Sequence, residues 1–454
     1  MISSDKRLFP NTVINFAADL INYALVFIAS IIIARQLGPA SRGFFAIITL
    51  FSGYLVSLFI FGVDATAEIQ VAKREYPLSA IHMCTILFSV GVGVISLVFF
   101  LLLEPLLFLS ALKRIDRSFI LITVLMIPFI VYSNIANRIM IGMTHIRFFN
   151  VLKVFKGVLD LLGPILFLIL LHRGLAGAVT AWMLSILCTA ALQAGWLFYQ
   201  SDWKLTFQPQ ILRQSLAFGA KVHFAFLPAV AVVHLGLFFL NHYAGSAAVG
   251  YYAVAYGFMM KIVFLFNALL SASQSKIIGS EAQLAESFVK RLIRHSFFLA
   301  LMISLIICLL SRILIYGFYG KAYAPSVYAL IVLLVAMVAT IITNFLTSYM
   351  VGQMKNPALC AKANWGIFFF GLLIYYGLIS RYGLIGTAIA TSLIAVFKLF
   401  SYLWLIRWLN LTDLRQILWF SKDDLLSLKQ RFLSTFSGKN LIPATHSNPT
   451  SDPA

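Results

Sequence analysis

Twelve apolar stretches, each long enough to cross a bilayer as a helix, leave this chain few options for its fold. They cover residues 12–34, 43–63, 80–103, 119–141, 151–171, 175–199, 215–241, 248–270, 296–316, 325–350, 363–379 and 384–406. Hydrocarbon offers the backbone no hydrogen-bond partner, so a spanning segment must close its bonds internally, and about 20 residues of helix suffice. The connectors are short, and none has room for an extramembrane domain. With 61% of 454 residues hydrophobic, 11% charged and a mean hydropathy of +0.95, no water-soluble core can hide this much apolar surface. Lipid is the solvent, and the expected fold class is an all-α polytopic membrane protein with 12 transmembrane helices.

An even number of spans puts both termini on one side. Of the 34 Lys and Arg residues, 23 fall on the side that holds the termini, 9 on the other, and Lys261 and Lys398 lie within spans. The bias places both termini in the cytoplasm. The net charge of +19 also raises nucleic acid as a partner, but the cations sit in short loops between apolar runs, which is an orientation signal. Four lone cysteines, Cys84, Cys188, Cys308 and Cys360, lack metal spacing, and nothing calls for a cofactor. The first run is too long and too polar for a signal-peptide core, so nothing is expected to be cleaved.

Two internal repeats divide the chain. The connector Ile33-Ala34-Arg35-Gln36-Leu37-Gly38-Pro39-Ala40-Ser41-Arg42-Gly43-Phe44-Phe45-Ala46 returns in weaker form as Asn241–Ala253. Gly38 matches Gly245, Gly43 matches Gly250, and Phe44-Phe45 matches Tyr251-Tyr252, all at an offset of 207. Arg173-Gly174-Leu175-Ala176-Gly177-Ala178 returns as Tyr382-Gly383-Leu384-Ile385-Gly386-Thr387 at an offset of 209. Two nearly equal offsets predict duplicated six-helix units in parallel orientation, with a path between them near the midplane. The expected organisation is an N-lobe over 1–199, a cytoplasmic linker over 200–214 and a C-lobe over 215–407. An interfacial amphipathic helix follows over 408–436, carrying Leu414, Leu418, Leu425, Leu428, Phe432 and Phe436 on one face, and then a disordered tail over 437–454.

No GxxxxGK[ST], HExxH or G-x-S-x-G motif is present, so the sequence carries no visible catalyst of covalent chemistry. It does carry charged and amide groups inside apolar spans, where an isolated charge costs ~2.5–3.5 kcal/mol and needs a wet cavity or a partner. Asn15, Asp19 and Asn22 form one stripe of the first span. Asp64 and Glu68 share a face of the second, and Arg138 ends the fourth. Lys153, Lys156 and Asp160 share a face of the fifth, with Pro164 as a kink beyond them. Lys221 and His234 flank Pro228, an expected break, in the seventh, and Lys261 and Asn267 occupy the eighth. For several of these a structural role stays open. Lys153, Lys221, Lys398 and Arg138 could snorkel to the interface, Asp64 and Glu68 could meet the loop cations Lys73 and Arg74, and His234 could be a packing residue. Asn344 reads as glue between helices. Asp19 and Lys261 lie deepest, and the cavity reading suits them best.

The stretch Ile32-Ile33-Ala34-Arg35-Gln36-Leu37-Gly38-Pro39, followed by Arg42-Gly43-Phe44-Phe45-Ala46, resembles the oligosaccharide flippases of the polysaccharide transporter family. That family lies within the multidrug/oligosaccharidyl-lipid/polysaccharide flippase superfamily. The likeness is strongest over residues 11–75. It implies a MATE-like fold of two pseudo-symmetric lobes in the cytoplasmic (inner) membrane of a bacterium. It also implies transport of undecaprenyl-diphosphate-linked oligosaccharide to the outer leaflet, beside other polysaccharide-assembly membrane proteins and with no catalytic residue. Under that resemblance Lys261, Lys221 and Arg138 would meet a diphosphate, Asn15, Asn22 and Asn267 would bond sugar hydroxyls, and Asp19 would balance the empty cavity or take a coupling ion. Two rivals stand beside this reading: a drug or metabolite antiporter of the same superfamily, and a membrane O-antigen polymerase or ligase.

Overall fold

The computed structural model describes the backbone of residues 5–110, 115–279, 282–352 and 357–408. Side chains are described over 14–105, 115–220, 223–225, 227–232, 235–271, 286–351 and 360–407, with 273, 277 and 284. The expected amphipathic helix and tail beyond residue 408 lie outside the described residues. Among those described, the chain is helical throughout. The elements are α1 (Asp5–Phe59), α2 (Val63–Ala72), α3 (Leu78–Ser110), α4 (Arg117–Leu125), α5 (Ile127–Gly142) and α6 (Ile146–Pro164), then α7 (Gly174–Gln200), α8 (Pro209–Gly279), α9 (Ala282–Tyr319), α10 (Pro325–Gly352) and α11 (Pro357–Trp408). Leu102 on α3, Leu309 on α9 and Leu373 on α11 are each about three-quarters exposed, an arrangement suited to lipid rather than water.

Counted by length and apolarity, 8 helices among the described residues can cross a membrane. Three of them, Ile14–Phe59, Leu227–Ser271 and Cys360–Arg407, run for 46, 45 and 48 residues. At ~1.5 Å per residue each is more than twice as long as a ~30 Å hydrocarbon core. Each is also broken by a glycine with non-helical dihedrals: Gly38 (φ 68, ψ 176), Gly245 (φ 80, ψ 176) and Gly383 (φ 49, ψ −120). The apolar runs on either side of each glycine are therefore separate rods. The fifth predicted span corresponds to α6 and a π-turn over Ile165–Leu170, which is absent from the 8. Arg147, Lys153, Lys156 and Asp160 make it too polar. Pro164, the expected kink, stands where α6 passes into the π-turn. Pro228, by contrast, sits inside continuous α8, whose break falls at Gly245 instead.

The repeat read from the sequence has a counterpart in backbone geometry. Gly38 and Gly245, 207 residues apart, share one left-handed φ and an extended ψ, a combination that only glycine adopts without strain. Beside them the two copies cross. A β-carbon on Gly43 would overlap the Ser246 carbonyl, and one on Gly250 would overlap the Pro39 carbonyl. The same offset carries Gly43 to Gly250 and Pro39 to Ser246, so the two close contacts are mates across a local two-fold axis. Gly174 and Gly383, matched at 209, also both take positive φ.

The core around this crossing is dense. Ile47, Ile48 and Leu55 of α1 and Val249, Ala255 and Val263 of α8 are fully buried, as are Leu330, Leu333 and Met337 of α10. Gly43→Ala or Gly250→Ala should therefore cost about 1–3 kcal/mol or more through overpacking against backbone that cannot yield. Thermal unfolding in detergent checks this, with Gly91→Ala as the control, because a β-carbon there would meet nothing within 4 Å.

Candidate functional site

Phe16, Leu20, Tyr23, Phe27, Ser30 and Ala34 recur at spacings of four and three, and so lie on one face of α1. The half nearer Gly38 is sealed. Tyr23 stacks on Phe264 at 4.9 Å, and Phe27 packs edge-on against Phe258 at 6.1 Å and Phe318 at 5.2 Å. The Ser30 and Tyr319 hydroxyls lie 3.5 Å apart, and the Tyr323 hydroxyl donates to the Ala34 carbonyl at 2.8 Å. Arg35 clasps the last turn of α9, donating from Nε to the Phe318 carbonyl at 2.7 Å and from Nη2 to the Gly317 carbonyl. Toward the N-terminus the same face is bare: Phe16 is 46% and Leu20 49% exposed. Leu265 and Leu269 of α8 are also exposed. The seam between α1 and the second half of α8 is thus packed near Gly38, while Phe16 and Leu20 toward the N-terminal end of α1 stay exposed.

Two cations occupy the packed end. The Lys261 Nζ lies 5.1 Å from the Phe27 ring centroid and donates to its own Gly257 carbonyl at 3.2 Å. The Arg42 guanidinium lies 5.5 Å from the Phe45 ring centroid, and its buried Nε has no hydrogen-bond partner among the described residues. Arg42 is near enough to Lys261 for the like charges to repel, and near the hydroxyls of Tyr319 and Tyr323. Neither cation makes an ion pair with a carboxylate among the described residues. Positive charge without a counter-charge inside a membrane protein is costly, and an anion would relieve it.

Most of the other predicted residues with described side chains are paired. Asp19 meets Lys153 of α6 at 2.7 Å rather than Lys261. Asn15 accepts a hydrogen bond from Asn150, and the Asn22 side-chain oxygen faces Gly157, where α6 leans closest. Lys156 binds Asp160 at 2.6 Å, and the other oxygen of Asp160 accepts from Ser185 at 2.6 Å. Arg138 reaches Glu68 at 3.1 Å and Asp64 at 3.9 Å, so those acids turn to α5 while the loop cation Lys73 meets Glu75 at 3.5 Å. Asn267 accepts from Asn344 at 2.8 Å, joining α8 to α10. Lys221 and His234 lie outside the residues with described side chains.

Arg42 is the residue that sequence reasoning missed, because its place between two apolar runs reads as an outer loop. The repeat held the signal. The offset of 207 sets Arg42 opposite Val249, which is fully buried, so a charge there occupies an interior position.

The family model for polysaccharide biosynthesis proteins matches residues 8–274. No curated protein matches the chain. Among solved structures, the chain is similar to a multidrug resistance MATE family transporter of the MOP superfamily in an inward-facing conformation. The TM-score is 0.70 at 18% identity, over 88% of this chain and 98% of that one. It is also similar to the lipid II flippase MurJ in an inward closed conformation, with a TM-score of 0.68 at 15% identity over 95% of this chain and 94% of that one. A third likeness is to a MOP superfamily transporter from Pyrococcus furiosus, for which a reversed polarity of the binding pocket suggests a different function. There the TM-score is 0.60 at 17% identity, over 89% of this chain and 96% of that one. At these identities the shared property is the fold.

The pairing of Asp19 with Lys153 can be tested. Lys153→Met should strand a half-buried carboxylate and destabilise the protein by about 1–3 kcal/mol, less than for a fully buried pair. Asp19→Asn in the same chain should restore most of the lost melting temperature.

Proposed function

The chain belongs to the polysaccharide biosynthesis protein family, and from that premise we propose that it is an alternating-access flippase. Its cargo in this reading is undecaprenyl-diphosphate-linked oligosaccharide, moved from the inner to the outer leaflet of a bacterial cytoplasmic membrane. The product feeds a surface polymer such as O-antigen, capsule or exopolysaccharide. Twelve crossings, arranged as lobes over 1–199 and 215–407 with both termini cytoplasmic, complete the proposal.

One observation carries it: Arg42 and Lys261 lie near one another at the packed end of the seam between α1 and α8, and neither has a carboxylate partner among the described residues. A diphosphate is matched to such a pair by charge and by donor chemistry. The head group of such a cargo is polar and cannot enter hydrocarbon, while its prenyl tail must stay there. A crevice between two helices meets both demands, since it can be wet inside and still open sideways to lipid. The exposed rings and aliphatic groups at its mouth, Phe16, Leu20 and Leu265, suit the tail. Binding of the anion would cancel the repulsion between Arg42 and Lys261 and draw the open end shut. The stacked seam of Tyr23 with Phe264 and Phe27 with Phe258 would then part on the other side. Asp19, held by Lys153, is the candidate for an ion-coupling group, because a proton or sodium ion taken up there would release the lysine.

The fold shared with multidrug transporters favours a second reading, export of a cationic drug or metabolite. Such a cargo calls for a free carboxylate in the crevice. Asp19, Asp64, Glu68 and Asp160 are instead each held by a lysine or arginine, which supports the anionic cargo.

Lys261→Ala and Arg42→Gln should each lower surface polysaccharide tenfold or more in cells that depend on this chain, with lipid-linked oligosaccharide accumulating on the inner leaflet. Lys261→Arg should retain output, and Lys204→Gln, in the exposed connector between α7 and α8, should behave as wild type. Unchanged output from both charge-removing variants would refute the proposal, and export of cationic dyes by the wild type without any effect on polysaccharide would favour the antiporter.

A further inference from the structure

A second cationic feature lies far from the crevice, where the two rods of α11 run side by side near residue 408. They leave a groove of about 600 Å³ lined by Lys362 and Gly366 of the first rod and Phe397, Phe400, Ser401 and Trp404 of the second. Its floor is open, for a β-carbon at Gly366 would meet nothing within 4 Å. Phe400 and Trp404 are each 63% exposed along it. Lys362 and Arg407 stand exposed at the same end of the two rods, and Lys398 lies beside Phe397 with its Nζ 5.6 Å from the Tyr402 ring centroid. None of these three cations makes an ion pair among the described residues.

The groove thus joins an aromatic trough to two exposed cations, Lys362 and Arg407, that make no ion pair among the described residues, at one rim of the membrane-spanning bundle. We infer that it is a binding site for an acidic phospholipid of the surrounding bilayer. The phosphate sits against Lys362 and Arg407, and one acyl chain lies along Phe397, Phe400 and Trp404. Charge complementarity selects this occupant. An apolar trough alone would take any lipid tail, but each cation near the membrane surface adds about fivefold to the affinity for an anionic head group. A tryptophan in the trough, Trp404, suits a site where an apolar ring meets the head-group layer. The site is independent of the cargo crevice and stands whether or not the chain is a flippase.

The test uses the full-length chain in bilayer discs of phosphatidylethanolamine containing either phosphatidylglycerol or phosphatidylcholine, with lipids retained after release counted by native mass spectrometry. Phosphatidylglycerol should be retained about tenfold over phosphatidylcholine. Lys362→Gln and Arg407→Gln should each reduce that retention about fivefold. Ser401→Trp, which fills the groove and leaves the cations in place, should abolish it. Equal retention of the two lipids, or wild-type retention by Lys362→Gln or Ser401→Trp, would overturn the assignment. A photoreactive residue in place of Trp404 should cross-link to phosphatidylglycerol. Cross-linking in cells to a polyprenyl lipid, or to this chain beyond residue 408, would give the groove another occupant and overturn it equally.

Discussion

In hydrocarbon a charge without a counter-charge is the most expensive side chain a protein can carry, and this structure is arranged around that cost. In the first half of the chain the half-buried acids of the helices are spoken for: Asp19 by Lys153, Asp160 by Lys156, and Glu68 and Asp64 by Arg138. Two of these pairs follow one another on α6, which explains why that helix is too polar to resemble an ordinary span. Against this background Arg42 and Lys261 stand out, because no carboxylate among the described residues pairs with either, and around them lie tyrosine hydroxyls, aromatic rings and the Gly257 carbonyl. The imbalance is local, which is what a receptor for an anion requires.

The backbone places that imbalance. Breaks at Gly38 and Gly245 let each long helix fold back at a fixed angle, and the contacts of Gly43 with Ser246 and Gly250 with Pro39 bring the two corners together. Arg42 sits one residue from this crossing, and Lys261 about three turns along the second rod. A residue with any side chain at position 43 or 250 would separate the corners and pull the cations apart. Packing and electrostatics therefore depend on the same pair of glycines.

Much of this was legible in the sequence. Apolar run length sets the spans, and the matched glycines announce both the breaks and the repeated geometry, because φ near 70° with extended ψ leaves almost no other residue type. Residue partners were harder to read. Asp19 and Lys153 come from different helices, and spacing along one helix cannot tell which neighbour a carboxylate will find. Arg42 looked like an outer-loop cation, since a composition reading cannot tell a corner buried by its repeat mate from a corner in water. Pro228 was expected to break a helix and does not, as local propensity yields to packing in a continuous rod. The structure of residues 409–454 lies outside what is described, and so does the predicted interfacial helix.

The clasp of Arg35 on the end of α9 has a consequence for how this molecule can move. Its guanidinium satisfies two carbonyls at a helix terminus, and Tyr323 satisfies a third at Ala34. Were the clasp undone, a permanent cation and two helix-end carbonyls would need new partners at the same moment, and oil supplies none. Water must flood that gap as it forms, so the packed end can unlatch only toward an aqueous compartment and never into the flank of the bilayer.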